Sequence, residues 1–376
     1  MNELIKYVRD VRREFHKIPE PAYKEYRTTE LIGEKLAELG LELRSFKVVE
    51  TGGYCDIGNP DEMIVFRADI DGLPIVESEK NRLVSENKGF MHACGHDYHI
   101  SFGIGLAKAF AKRSCKRGLK IIFQPAEESP DSGGEHISKE LDYSVLKKIL
   151  AVHVSPYIEK GVIKVKPGAM CASSSLVRIS IIGPGGHTSA PEKTRDLIYI
   201  ACNFVANLNE YLRKSVDPQS VFTLAFGKIR GGESHNVIPD RVQLSGSLRT
   251  LDENIHKSIE KKIGEFASSF GNLYGIKIEV DIPTYCPPVI NSRELFAELN
   301  TYCEKSDYPV SLNIEEKAFM GADDFSFYCR FIPGLYMMVG GRYKGELHSP
   351  ELELDEELID STFPFIVGFI DYLLNK

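Results

Sequence analysis

The feature that most restricts the fold is a change of hydrophobic period part-way along the 376-residue chain. Before Pro167, strand-like apolar runs occur at 63–67, 119–123 and 149–154, with a helical stretch over about 99–113 between the first two. Two helices precede them: the first carries Leu4, Val8, Val11 and Phe15 at helical spacing, and the second, over about 27–39, ends at Gly40. Such strand–helix alternation reads as an α/β sheet covered by helices. After Pro167 the period becomes two, with Val177, Ile179 and Ile181 on one face. A helix over about 195–213, strands near 220–229 and 241–249, a helix with Ile255, Ile259, Ile263, Phe266 and Phe270 on one stripe, and a strand at 276–282 follow. That order, β-α-β-β-α-β over 174–284, is a compact α+β unit of split-βαβ type. From Cys286 the chain returns to alternating helices and short strands. We therefore expect a larger domain, 1–173 with 285–376, interrupted by an inserted domain, 174–284.

Bulk properties exclude several functions. The net charge is −8 and no basic stripe is present, which argues against a nucleic-acid partner. The N-terminal MNELIKYVRDVRREF is an amphipathic charged helix without a signal-peptide core, and the apolar stretches read as far short of a membrane span. A cytoplasmic location without membrane contact is the expectation. The eight cysteines form no CxxC pair and no short-range framework, so reduced thiols are expected, and Cys94 is available as a ligand.

Residues 92–99 read HACGHDYH, three histidines with a cysteine and an aspartate in eight positions. Other chemistry-bearing groups fall where strands end: Asp69 and Asp71 in RADIDGLP, Glu127 and Glu128 in QPAEES, and His153 at the end of 149–154. His348 lies in the late loop GELHSP. Thiolate and imidazole favour Zn, Ni, Co or Mn over Mg or Ca, with carboxylates completing the shell. The candidate ligands are Cys94, His96, Glu128, His153 and His348. Five protein ligands exceed what one tetrahedral zinc with an open position takes, so two ions fit better. Neighbouring side chains diverge, so Glu128 can bind metal while Glu127 acts as base. A metal ion lowers the pKa of a water from about 15.7 towards ~7, and the adjacent carboxylate can pass the proton to a leaving amine. Plainer readings exist for each residue alone: His153 as a hydrogen-bonded strand end, the glutamates as surface, Cys94 as a small buried hydrophobe, and the whole cluster as a structural metal site. His16, His92, His99, His136 and His256 are read as structural.

RADIDGLP, MHACGHDYH, QPAEES, GPGGHTSAP, NVIPD, SLRT, GADDFSFY and LHSP together resemble the successive motifs of the amidohydrolase branch of the aminoacylase/carboxypeptidase metallopeptidases. This branch contains hippurate hydrolases, indole-acetyl-amino-acid hydrolases and N-acetyldiaminopimelate deacetylases. The resemblance spans nearly the whole chain. It implies an α/β, mixed-sheet dimetal catalytic domain with an inserted ferredoxin-like lid that dimerises, in a homodimer or dimer of dimers. It also implies hydrolysis of small N-acyl amino acids. By position, Cys94, His96, Glu128, His153 and His348 match the metal ligands, Glu127 the general base and Asp71 the acidic residue supporting the site. His187 matches a lid histidine that stabilises the tetrahedral intermediate, and Asn236 and Arg249 match lid residues that hold substrate. An imidazole donor suits a developing oxyanion, and a guanidinium fork suits a carboxylate; Arg249 as a solvated strand residue and Asn236 as a turn residue stay open. The chain departs from the family pattern at Asp323, where glutamate is frequent, at Glu192 after HTSAP, and at His235 before NVIPD.

The leading expectation is a metal-dependent amidohydrolase of N-acyl-L-amino acids, with N-acetyl-L,L-diaminopimelate of lysine biosynthesis as the preferred substrate. A broad-specificity aminoacylase or a carboxypeptidase is the alternative within that class. A non-catalytic protein holding metal structurally, and a redox protein using its cysteines, are alternatives from other classes.

Overall fold

The structure is a computed structural model that describes residues 1–306, 311–314 and 317–376. It divides into two compact units, one of Met1–Met170, Val289–Lys317 and Asp324–Lys376, the other of Cys171–Pro288 and Ala318–Asp323. The second unit thus starts three residues earlier and ends four residues later than the insertion expected, and it adds the separate stretch Ala318–Asp323. The reason is local: the Ala172 N–H donates to the Phe319 and Gly321 carbonyls, which ties that short stretch to the start of the insertion.

The larger unit is built on a mixed seven-stranded sheet in the order Gly53–Ile57, Gly118–Gln124, Met63–Asp69, Leu146–Ser155, Gly334–Gly340, Val162–Val165, Ser311–Ile314. The four strands from Gly118–Gln124 to Gly334–Gly340 run parallel. All residues of Met63–Asp69, Gly118–Gln124 and Gly334–Gly340 are buried, as expected of parallel strands covered on both faces. The helices Asn2–His16, His96–Phe110 and Leu358–Asn375 pack on one another, and Phe102 stacks on Phe363 at 5.6 Å between centroids. Leu358–Asn375 is long and apolar enough to cross a membrane, contrary to the expectation that no stretch is, because Asp360, Ser361 and Asp371 interrupt the run when it is read linearly. Two-thirds of it is buried, with Phe363, Phe369 and Ile370 in the core.

The smaller unit carries an antiparallel sheet in the order Lys277–Asp281, Ser174–Ile182, Arg241–Thr250, Phe222–Gly231. Helices Leu197–Ser215 and Glu253–Tyr274 bury one face of it, capped by Asp196 and Asp252 side chains that accept from the first-turn amides. Val177, Ile179, Ile181, Val242 and Leu244 alternate into a core of their own, separate from that of the larger unit. The main elements follow the expected β-α-β-β-α-β order with boundaries within two residues of those expected, and two further short strands, Gly186–His187 and Val237–Ile238, pair with each other.

Candidate active site

The chemistry-bearing residues of the larger unit gather at the C-terminal ends of its parallel strands. Asp71 follows Met63–Asp69, Glu127 and Glu128 follow Gly118–Gln124, and His153 lies within Leu146–Ser155. Three backbone features aim these groups. Ala126 sits at φ +56, an uncommon conformation for a residue with a Cβ, and its N–H donates to Glu25 Oε1 at 2.9 Å. Gly95 sits at φ +83, and a Cβ there would lie 2.3 Å from Val154 Cγ2. Glycine at that point lets the chain turn sharply beneath the strand, so the helix opens at His96 rather than near 99 as expected. His348 also has a positive φ, +62, and its N–H donates to the Ala93 carbonyl at 2.8 Å, which fastens the late loop beside Cys94.

Five expected ligands meet here. The donor atoms of Cys94, His96 and His153 lie within 4.8 Å of one another, as do those of Cys94, Glu128 and His348, and those of His96, Glu127 and Glu128. Shared members make this one continuous donor set. Cys94 Sγ is 3.4 Å from His153 Nε2, and His348 Nε2 is 3.2 Å from Glu128 Oε1. His96 and His153 present the same nitrogen: Nδ1 of His96 donates to the Asp71 carbonyl at 2.9 Å, and Nδ1 of His153 donates to the Val154 carbonyl at 2.7 Å. Each ring is thereby oriented with Nε2 towards the cluster, the arrangement of metal-ligating imidazoles. Asp71 works from beneath, its Oδ2 accepting the Glu128 N–H at 3.0 Å.

The electrostatics fit a cation. Burial, with Glu128, Glu127 and Asp69, pushes the Cys94 thiol well above its usual range. Burial alone would lower His96, but Asp69, Asp71 and Glu128 outweigh it and raise His96 to about 10. Among the described residues, the His96 Nε2 is buried without a hydrogen-bond partner. A thiol, three imidazoles and a carboxylate held together in this way can accommodate divalent transition metals, which displace the protons the cluster otherwise retains.

A charge network that the sequence reading did not anticipate supports this floor. Arg67, fully buried, reaches Asp69 Oδ2 and Asp324 Oδ1 at 2.5 Å each and Gln124 Oε1 at 2.9 Å. Asp324 also accepts from Gln124, Ser132 and the Gly134 N–H. The signal was an arginine and an aspartate two apart in an otherwise apolar strand, and the second Asp of GADDFS. Asp323, the position singled out by the family comparison of motifs, is buried as well, but Asp324 carries these bonds.

His187, Asn236 and Arg249 belong to the smaller unit. Gly186–His187 pairs with Val237–Ile238, and the Thr188 N–H donates to the Asn236 carbonyl at 3.1 Å, so His187 and Asn236 are neighbours there. His187 Nδ1 accepts the Ser189 N–H at 3.1 Å. Arg249 lies apart from them on Arg241–Thr250, half-buried, with Nε 3.3 Å from Ser247 Oγ. Glu192 and His235 are exposed. His16 and His256 are buried in hydrogen-bonded surroundings, and His136 pairs with Asp131 at the surface.

Residues 65–371 match peptidase family M20/M25/M40. The chain belongs to this family. As an M20 peptidase it is a metal-dependent amidohydrolase, with the mixed α/β fold of that family and its second α+β unit. The N-acetyldiaminopimelate deacetylase of Priestia megaterium is 32% identical over 100% of this chain and 99% of its own length. The solved YxeP protein of Bacillus subtilis, described as a dinuclear metal-binding peptidase of the M20 family, is 26% identical with a TM-score of 0.86, covering 100% of this chain and 99% of that one. A structure from methicillin-resistant Staphylococcus aureus has a TM-score of 0.92 at 24% identity, over 100% of this M20 chain and 98% of its own, and shows the shared fold.

Proposed function

We propose that this M20 amidohydrolase removes the acyl group from small N-acyl-L-amino acids, and that N-acetyl-L,L-diaminopimelate is its substrate, yielding diaminopimelate and acetate for lysine biosynthesis. The observation that carries the catalytic part is the convergence of Cys94, His96, Glu128, His153 and His348 beside a second, adjacent carboxylate, Glu127. The substrate rests on the name shared by relatives that match this chain end to end. Two divalent transition-metal ions held by those five residues would supply Lewis acidity and acidify a water. Glu127 takes the proton of the attacking water and returns it to the leaving nitrogen. Asp71 keeps His96 and Glu128 in place from below. In the smaller unit, acceptance of the Ser189 N–H at Nδ1 leaves the His187 proton on Nε2, a donor suited to an oxyanion. Asn236 and Arg249 would hold the substrate, the guanidinium taking its carboxylate. The smaller unit would serve as lid and dimerisation domain. Its edge strand Phe222–Gly231, with Ile229 and the preceding Val221 exposed, offers unpaired backbone to a second copy. The working form is then a cytoplasmic homodimer or dimer of dimers.

The test is a panel of N-acetyldiaminopimelate, N-acetylmethionine, hippurate and a dipeptide, assayed with the metal-loaded enzyme and its Glu127→Gln variant. A kcat/KM highest for N-acetyldiaminopimelate supports the substrate, whereas comparable values across the panel would sink it. The variant should retain its metal while kcat drops ~10²–10⁴-fold. Undiminished turnover removes Glu127 as the base.

A further inference from the structure

The ladder between the parallel strands Met63–Asp69 and Leu146–Ser155 stops at Arg67 and Ala151. Beyond that point one side chain bridges the two strands. His99, the fourth residue of the helix His96–Phe110, has Nδ1 2.5 Å from Asp69 Oδ1, and its Nε2 accepts the Val154 N–H at 3.0 Å. The second bond fixes the tautomer, because a nitrogen that accepts a backbone N–H carries no proton. The proton is therefore on Nδ1 and is donated to Asp69. Asp69 is in turn held at its other oxygen by Arg67. All of these groups are buried.

Asp69, His96 and His99 have donor atoms close enough together to form a metal site. His99 has no lone pair to give to one, since one nitrogen donates and the other accepts. What it holds is Val154, and the carbonyl of that same residue takes the Nδ1–H of His153. Val154 is thus fixed at its N–H by His99 and orients His153 through its C=O. We propose that His99 is a positioning residue: acting through Val154, it sets the ring of His153 and hence the affinity for the ion that His153 binds, without touching that ion. The inference rests on His153 being a ligand, as in the proposed function.

Two variants of His99 separate positioning from mere packing. An asparagine amide nitrogen falls near the Nδ1 position and can still donate to Asp69, but nothing reaches Val154. A glutamine amide oxygen falls near the Nε2 position and can accept the Val154 N–H. Zinc affinity, measured on the full-length protein by competition with a chelating indicator, should weaken ~10–100-fold in His99→Asn. Most of it should return in His99→Gln. Asp69→Asn, which loosens the His99 ring without changing its size, should give a smaller loss in the same direction and serves if His99→Asn does not fold. The cobalt-loaded spectra of the folded variants should keep the band positions of the parent. Equal losses in the Asn and Gln variants, no loss in any variant, or a cobalt spectrum altered as by removal of an imidazole would each overturn the proposal. Unchanged affinity in His153→Ala would instead overturn the ligand reading beneath it.

Discussion

Glu25 illustrates how far a residue can act from the group it serves. It is buried, accepts the Thr51 hydroxyl at 2.6 Å, and holds the Ala126 N–H at the turn just before Glu127. Burial, with the charge of Asp71, raises its carboxyl to about 7 from an ordinary 4.5. A folded pKa above the unfolded one means that the neutral acid is favoured in the native state. Its stabilising contribution is complete below pH 4.5 and is lost as the pH rises to 7. The difference corresponds to about 3 kcal/mol. Glu25→Gln keeps an acceptor for Ala126 without a charge to bury. Relative to the parent, the metal-free variant should therefore be more stable at pH 8 than at pH 5 in urea unfolding. A variant-minus-parent difference that is the same at both pH values would sink this account. At this scale the sequence was readable where residue types declare their chemistry: Cys94, His96, Glu128, His153 and His348 do meet. Glu25, Arg67 and Asp324 were not readable, because a buried carboxylate or guanidinium looks like any surface charge until the fold supplies its partners.

Elements were legible to the degree that burial imprints a period. Met63–Asp69 and Gly118–Gln124 stand out as apolar runs because every residue of both is buried, on either face of the sheet. Gly53–Ile57 and Val162–Val165 did not stand out, being short and only partly buried near the sheet edges. The helix His96–Phe110 shows a further limit, since it is buried almost all round and so has no polar stripe from which to judge its ends. Gly105, within it, lies against both Asn2–His16 and Leu358–Asn375. A Cβ there would lie 2.5 Å from both Val8 Cγ2 and Phe363 Cζ. Gly105→Val should destabilise the protein by about 1–3 kcal/mol, because overpacking outweighs the modest gain in helix propensity. The check is the urea midpoint, and an unchanged midpoint with an unchanged slope would show that the three helices part without cost.

At the scale of the molecule, each unit has a hydrophobic core among the described residues, one under the seven-stranded sheet and the other against the four-stranded antiparallel sheet. The hydrophobic period read from the sequence changes near Pro167, and the first segment of the larger unit ends at Met170. The return of 318–323 to the smaller unit was invisible, since it depends on backbone bonds to Ala172 that no side-chain pattern records. All five proposed metal donors lie in the larger unit, as do Glu127 and Asp71. Metal binding should therefore stabilise one core and leave the other where it was. Free ion at a hundred times its dissociation constant adds about 2.7 kcal/mol to whatever binds it only when folded. With two cores, unfolding need not be a single step. In calorimetry, stripping the protein with a chelator should move one transition to lower temperature, and restoring zinc should return it. The transition of the smaller unit should hold its position throughout. It can be assigned independently by Phe204→Ala, which empties part of that core and should lower that transition alone. Equal movement of both transitions on chelation would mean that the cores unfold as one cooperative body, and that the metal's contribution is spread across the chain rather than confined to the strand ends that hold it.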